Sequence, residues 1–361
     1  MRRLRTRWTR LTGPTAVTPM AVIGVSVGRH RSTTDPSPAT LPGGPSSESC
    51  AVNIGRMPEI EGFSGVVTLT RAGRPVTSVT GGGCTPTTPF QIASVSKNFA
   101  STLTMMLVEE GLLDLHEPLD HWLPEAPRSW HALSLHHLLS NTSGIGHWTD
   151  VPGMDPFVPA TRDERLELVL RAPLQSEPGR QFRYSSPAFI LVGVVAERAT
   201  GSPYGKLLAE RILQPLGLTR TASGIRPPDA APGHRAGKPV EPWDVASMIG
   251  SGDLCSTAED LVAYARAVED GGLVSPASLA LMRTRHSTFI EPDRTPDGRL
   301  EVTGYGYGHY VGTFDGRPAA LHTGDNPGYR SLVGWLPDGV GIVALSNEDS
   351  VRWEDVLARV L

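Results

Sequence analysis

Strand-like segments occur near both ends of this 361-residue chain, and helix-like segments fill the long stretch between them. Near the N-terminal end, Phe63–Thr70 sets Phe63, Val66, Val67 and Leu69 in a strand-like run that stops at Ala72-Gly73-Arg74-Pro75. That tetrapeptide reads as a hairpin turn, with Val76–Thr80 as the returning strand. After Ser94 the pattern changes: Phe99, Leu103, Met106, Leu107 and Val108 recur near a period of 3.6 until Gly111. Residues 115–290 continue as helical segments broken by Pro and Gly, clearest at Leu166–Leu170, Ala188–Ala199 and Leu261–Val268. Beyond residue 304 strands return at Gly306–Thr313, Ala319–His322, Leu332–Leu336 and Gly341–Leu345, and residues 351–361 read as a short C-terminal helix. Such an order predicts an α/β (α+β) fold. One antiparallel sheet is built from both chain ends and flanked by helices, with a mostly helical subdomain inserted at about 115–290.

Charge is distributed as unevenly as periodicity. The formal charge is −4, yet residues 1–40 hold seven Arg and one Asp, so the remainder sums to −10. A body of that sign has no broad footprint for nucleic acid. Arg2, Arg3, Arg5, Arg7 and Arg10 precede a weakly apolar run, Ala16–Gly28. A basic start before roughly 7–15 apolar residues has the layout of a secretory signal, too short for a span. Residues 1–28 are therefore expected to be a signal sequence, the competing reading being a plain N-terminal extension. Residues 29–54 are expected to be a Ser/Thr/Pro linker, and the localisation secreted or extracytoplasmic, with no stable membrane span in the mature protein. Of the three cysteines Cys50, Cys84 and Cys255, at most one pair can form, Cys50–Cys84 being the natural one in an exported chain.

Only three of the 33 basic residues are Lys: Lys97, Lys206 and Lys238. Lys97 stands in Ser94-Val95-Ser96-Lys97 at the start of the first long helix, a spacing that puts Ser94 and Lys97 on one face, one turn apart. A serine needs a base to become a nucleophile, and a neutral lysine one turn away can serve. Free Lys titrates near 10.4 and an effective base nearer 7–8, so the site must depress it by about 3 units. Burial and the helix N-terminus both act in that direction. The helix start also leaves N–H groups free, and that of Ser94 can bind an oxyanion. Two further elements follow: Tyr184-Ser185-Ser186 before the apolar helix at 188, and His322-Thr323-Gly324 at a strand end. A tyrosine facing the Ser–Lys pair can move protons, and a His-Thr-Gly strand edge can offer hydrogen bonds to a substrate.

With these three elements the chain resembles the serine β-lactamase and penicillin-binding superfamily, in the branch of class C β-lactamases, D,D-carboxypeptidases and related esterases. The likeness runs from about 55 to 350 and includes Phe90–Lys97, Glu110–Leu115, Leu138–Gly144, Pro215–Thr219, Ser256–Leu261 and Gly328–Asn347. The resemblance implies a serine hydrolase working through an acyl-enzyme on D-Ala-D-Ala-type peptides, β-lactams or small esters. Esterase or acyltransferase chemistry and a non-catalytic ligand-binding relative are the alternatives. It implies that Ser94 is acylated, Lys97 is its base, Tyr184 shuttles the proton and His322 opens the Lys-Thr-Gly-like box. Thr323 and Gly324 then lie along the substrate, and the backbone of Asp325 supplies the second oxyanion N–H.

Two positions depart from the family pattern. Ser186 replaces the Asn of Tyr-x-Asn, with a shorter reach towards substrate and Lys97, and His322 replaces a Lys and is mostly neutral at pH 7. Both shift the expectation towards an esterase or a loose peptidase. No cofactor and no metal are expected, and the chain is expected to be a monomer acting on a small-molecule or peptide substrate. His116, His121, His131, His136, His137 and His147 crowd one region without forming a His-Glu-x-x-His pattern, and are read as surface or packing residues. Gly24–Gly28 fits a nucleophile-elbow pattern but lacks the strand and helix that motif needs. Gly304, Gly306 and Gly308 are read as allowing close packing beside the site.

Overall fold

The computed structural model describes residues 62–241 and 243–361. The expected signal, linker and Cys50 lie outside the described residues. Two strands come first, β1 (Gly65–Arg71) and β2 (Arg74–Gly81), followed far along the chain by six more. These are β8 (Ser287–Arg294), β9 (Leu300–Tyr305), β10 (Tyr310–Phe314), β11 (Arg317–Asn326), β12 (Tyr329–Leu336) and β13 (Val340–Ser346). They form one antiparallel sheet in the order β2-β1-β13-β12-β11-β10-β9-β8. Its seam between the chain ends is β1 on β13, with Gly65 opposite Ser346 and Arg71 opposite Val340. The small strands β3 (Phe90–Gln91), β4 (Ala222–Ser223) and β7 (Leu254–Ser256) form a second sheet, and β5 (His234–Arg235) pairs with β6 (Lys238–Pro239).

Helices α1 (Ser96–Glu109), α2 (Leu135–Leu139), α3 (Arg162–Arg171), α4 (Ser186–Thr200), α5 (Tyr204–Leu208), α6 (Ala258–Glu269) and α7 (Pro276–Met282) fill the middle, and α8 (Trp353–Val360) closes the chain. After its first residue, Ser186, the sequence of α4, SPAFILVGVVAERAT, is apolar on every side through Ala196, and this whole stretch is buried. A helix of that kind belongs in a core, and α1, α2, α3 and α5 surround it. Ser185 caps it by accepting from the Ala188 N–H at 3.0 Å, and Gly201 ends it in the left-handed conformation. The sheet is covered in part by α6 and α8: Trp335 donates its indole N–H to the Ala265 carbonyl, and Trp353 donates to that of Ser331.

The segment 115–290 is not purely helical, because β4 to β7 lie within it and β8 begins at Ser287. Strand β8 carries Pro292, is largely exposed and shifts register between Thr288 and Asp293, so it lacks the alternation that marks a strand in sequence. Among the described residues no helix is long and apolar enough to cross a membrane. Cys84 and Cys255 are free, buried thiols.

Candidate active site

The first turn before α1 holds the serine. Ser94 lies not in α1 itself but in a 3₁₀ turn, Ala93–Val95, that leads into it. Ala93 adopts φ +47°, a conformation costly for a side-chain-bearing residue and characteristic of sites where the surroundings fix the backbone. Those surroundings are β11 and β12: Ser331 donates to the Ile92 carbonyl at 2.6 Å, and Gly324 lies against Ile92 and Ala93. A Cβ on Gly324 would stand 2.3 Å from the Ile92 oxygen, so only glycine lets the strand edge come this close to the serine. The same logic holds below α1, where Gly308, at φ +70°, packs on the Lys97 carbonyl and the Ser101 hydroxyl.

Lys97 is fully buried. Its Nζ lies 3.0 Å from the Ser94 Oγ, 3.0 Å from the Ser186 Oγ and 2.6 Å from the Ser251 carbonyl oxygen. Burial pushes its pKa well below the ordinary value, against the pull of nearby Asp253. Asp253 is itself buried and raised to about 6, although it accepts hydrogen bonds from the Ser223 hydroxyl and the Gly250 N–H. Desolvation therefore prevails over attraction on both partners. A neutral amine has two N–H groups and one lone pair. The carbonyl of Ser251 can only accept, so it takes one N–H; the other N–H and the lone pair are left to the two serine hydroxyls, and when Ser186 takes the N–H the lone pair faces Ser94. Such an arrangement can remove the serine proton.

Tyr184 ends the loop before α4 and lies over the same pair, with the Lys97 nitrogen 5.0 Å from its ring centre. Its buried hydroxyl lies close enough to Ser94 and Ser186 for both to lower its pKa, but burial outweighs them and keeps it a phenol. That hydroxyl is thus set beside both the nucleophile and the serine that holds Lys97. The loop is held by Asn141, whose carbonyl accepts from the Arg183 N–H at 2.7 Å and whose side chain accepts from the Ser185 N–H at 2.9 Å. Ser186, despite its shorter reach, holds Lys97 directly.

His322 is buried beside Tyr184, ring centres 6.3 Å apart. Its Nδ1 lies 2.7 Å from the Thr323 carbonyl and its Nε2 2.8 Å from the Tyr305 hydroxyl. A carbonyl accepts only, so Nδ1 carries the proton and Nε2 accepts from Tyr305. Burial pushes the ring well below its usual pKa. Thr323 and Asp325 follow on the same half-exposed side of β11, past Leu321, the last β11 residue paired with β10.

The structure thus brings Ser94, Lys97, Tyr184, Ser186, His322, Thr323, Gly324 and Asp325 to one place. It adds groups that sequence reasoning passed over. The Ser251 carbonyl and Asp253 come from a turn before β7, and Tyr305 and Tyr310 come from β9 and β10. His147, grouped with the packing histidines, accepts from the Ser186 N–H at 3.2 Å through Nδ1, and its ring lies 5.5 Å from that of Tyr184. Burial and Lys97 push it down to about 3. Nothing in its immediate sequence sets it apart from the other histidines of that region. His116, His136 and His137 gather elsewhere, with His286.

Residues 53–360 match the family described as Beta-lactamase. Among curated relatives, Esterase EstB of Burkholderia gladioli is 28% identical, covering 72% of this chain and 77% of its own. The D-alanyl-D-alanine-carboxypeptidase/endopeptidase AmpH of Escherichia coli is 26% identical, covering 68% and 67%. Among solved structures, the D-amino acid amidase of Ochrobactrum anthropi superposes with a TM-score of 0.70 at 25% identity, covering 82% of this chain and 96% of that one. On this evidence the chain belongs to the beta-lactamase family and is a serine hydrolase.

Proposed function

We propose that this serine hydrolase cleaves small esters, or amides of acylated D-amino acids, through an acyl-enzyme on Ser94. The observation that carries the reading is the Lys97 nitrogen, buried, depressed and 3.0 Å from the Ser94 hydroxyl. Lys97 takes the serine proton as Oγ attacks the carbonyl carbon, and the N–H groups of Ser94 and Asp325 stabilise the oxyanion. Tyr184, a phenol at rest, gives its proton to the leaving group and is reprotonated from Lys97. The same relay run in reverse deprotonates the water that releases the acyl group. Ser186 positions Lys97, and His322 with Thr323 and Gly324 lines the substrate. The esterase name of one relative and the carboxypeptidase and amidase names of others support this range of substrates. A panel of p-nitrophenyl esters, nitrocefin and D-amino peptides tests it. Turnover by the wild type with loss of about 10⁴-fold or more in Ser94→Ala is expected; equal turnover by the variant would refute the assignment.

The Arg-rich start and the apolar run Ala16–Gly28 carry the further reading that the chain is exported. Fractionation of expressing cells tests it, with a shortened extracytoplasmic form expected and a full-length cytoplasmic form contradicting it. We propose further that the chain works as a monomer; light scattering at assay concentration tests this, with the mass of one chain expected and a multiple of it contradicting the reading.

A further inference from the structure

The turn that supplies the Ser251 carbonyl is itself closed by a carboxylate that the proposed chemistry does not use. Ahead of β7 the chain doubles back on Met248, whose carbonyl accepts from the Ser251 and Gly252 N–H groups at 3.0 and 3.1 Å. Gly250 takes φ +70° in this turn, where a Cβ would stand 2.8 Å from the Phe189 carbonyl oxygen of α4. Asp253, wholly buried, reaches back across the turn. Its Oδ1 accepts from the Gly250 N–H at 2.9 Å, and its Oδ2 accepts from the Ser223 hydroxyl of β4. The Asp253 carbonyl accepts from the Gly224 N–H at 2.8 Å, and the next N–H, of Leu254, donates to the Ser96 hydroxyl at 3.1 Å. Ser251 lies between the two residues that the carboxylate joins, and its carbonyl oxygen ends 2.6 Å from the Lys97 nitrogen.

We infer that Asp253 is a positioning residue for the base: by closing the turn from Gly250 it aims the Ser251 carbonyl at Lys97, which fixes one N–H of the amine and leaves the lone pair to the serines. The inference rests on the proposed acylation of Ser94. Burying a carboxylate on two neutral donors costs stability, and in this fold it fixes the direction of one carbonyl. Without the carboxylate the buried Gly250 N–H loses its acceptor and the turn relaxes. An amine freed of the Ser251 carbonyl rotates about its Cε–Nζ bond, and its lone pair faces Ser94 for only part of the time. The loss falls on kcat, because the substrate contacts along β11 are untouched.

Asp253→Ala and Asp253→Asn separate the turn from the charge. Both remove the charge, but the Asn side-chain oxygen still accepts from Gly250 and its amide still donates to Ser223. With p-nitrophenyl acetate, kcat should fall by about 10–100-fold in Asp253→Ala with KM within about threefold, and Asp253→Asn should stay within about threefold of the wild type. Lysine enriched in ¹³C at Cε gives a direct readout, because the chain has only three lysines and Lys206 and Lys238 are exposed. The Lys97 signal, identified by its loss in Lys97→Met, should differ between Asp253→Ala and Asp253→Asn while the other two hold still. Should Asp253→Ala not fold, Ser223→Ala removes the Oδ2 donor alone, and a severalfold loss of kcat with a displaced Lys97 signal is expected. Fluorophosphonate labelling of Ser94 is followed in parallel. An unlabelled Ser94 in the wild type would overturn the acyl-enzyme reading and this one with it. With Ser94 labelled, an unchanged kcat, a loss as large in Asp253→Asn, or a Lys97 signal that does not respond would overturn this inference alone.

Discussion

Two crowded sets of ionisable side chains can be set side by side among the described residues, and burial lowers the pKa of the base at the centre of each, Lys97 and His136. Around Lys97 stand Asp253, His147, His322 and Tyr184. Around His136 stand His116, His137 and His286, with ring centres 5.2–5.3 Å from its own, and the Tyr307 hydroxyl 2.7 Å from its Nδ1. Desolvation, then the neighbouring imidazoles, push His136 down to about 4. The second set joins α2 to the strand pair β8–β9, and the serine it holds, Ser134, is a buried cap residue of α2 whose Oγ lies 3.0 Å from the His137 Nδ1. In the first, the Ser251 carbonyl fixes one N–H of the neutral amine, and with the other on Ser186 the lone pair is left for the nucleophile Ser94. A depressed pKa is thus common to both, and the direction of the lone pair is what separates a base from a packed histidine.

The comparison breaks most sharply at Lys97. Lys97→Met removes the base and also a buried ionisable group, so kcat/KM with an ester should fall by about 10²–10⁴-fold while the melting temperature holds or rises. A loss of both together would mean that Lys97 is structural. Tyr184→Phe removes the proposed proton donor, and kcat should drop by about 10²-fold with folding unharmed, as single-turnover kinetics and thermal melts would report. Acidification acts on the same base: the neutral amine exists above its lowered pKa, so activity should persist at neutral pH and fall as pH drops through that pKa. A profile that rises only near pH 10 would contradict the burial argument. A smaller effect is expected at Tyr305, where Phe would remove the donor to the His322 Nε2 while burial keeps the ring neutral. A severalfold change in KM, with the pH profile of kcat/KM unaltered, would register it.

The histidine set should show the smallest effect, in stability alone. His136, His137 and His286 have folded-state pKa values below the unfolded one, so the unfolded chain binds protons first as pH falls. Their contribution to stability is complete above about pH 6.5 and is lost progressively towards pH 4. His136→Asn should flatten the slope of melting temperature against pH between 7 and 5, whatever it does to stability at pH 7. It should leave ester kcat/KM within about twofold, as expected for a substitution outside the catalytic machinery.

What the sequence made legible follows the same division. Ser94 and Lys97 are three residues apart, Tyr184 heads an unmistakably apolar helix, and His322-Thr323-Gly324 ends a strand; each is a local pattern. That strands from both chain ends share one sheet was equally readable, because apolar strands at both ends have few ways to share a core; their β1–β13 pairing came from the structure. Other groups carried no local mark. The Ser251 acceptor is a backbone carbonyl, which has no side-chain signature, and it meets Lys97 across 154 positions. Tyr305 and His147 gain their roles only from what the fold sets beside them. The 3₁₀ turn at Ser94 and the positive φ of Ala93 arise from packing under β11, where Gly324 permits the approach. Strand β8 stayed hidden behind a proline and an exposed face.

The central claim is that Lys97, neutral and buried, activates Ser94. The most direct measurement is the rate and site of fluorophosphonate labelling, followed by peptide mapping across pH, in the wild type and in Lys97→Arg, whose guanidinium cannot give up its proton. The account predicts one adduct, on Ser94, formed rapidly at neutral pH and nearly abolished by the arginine. An adduct on another residue, or labelling of Ser94 at an undiminished rate in Lys97→Arg, would contradict it.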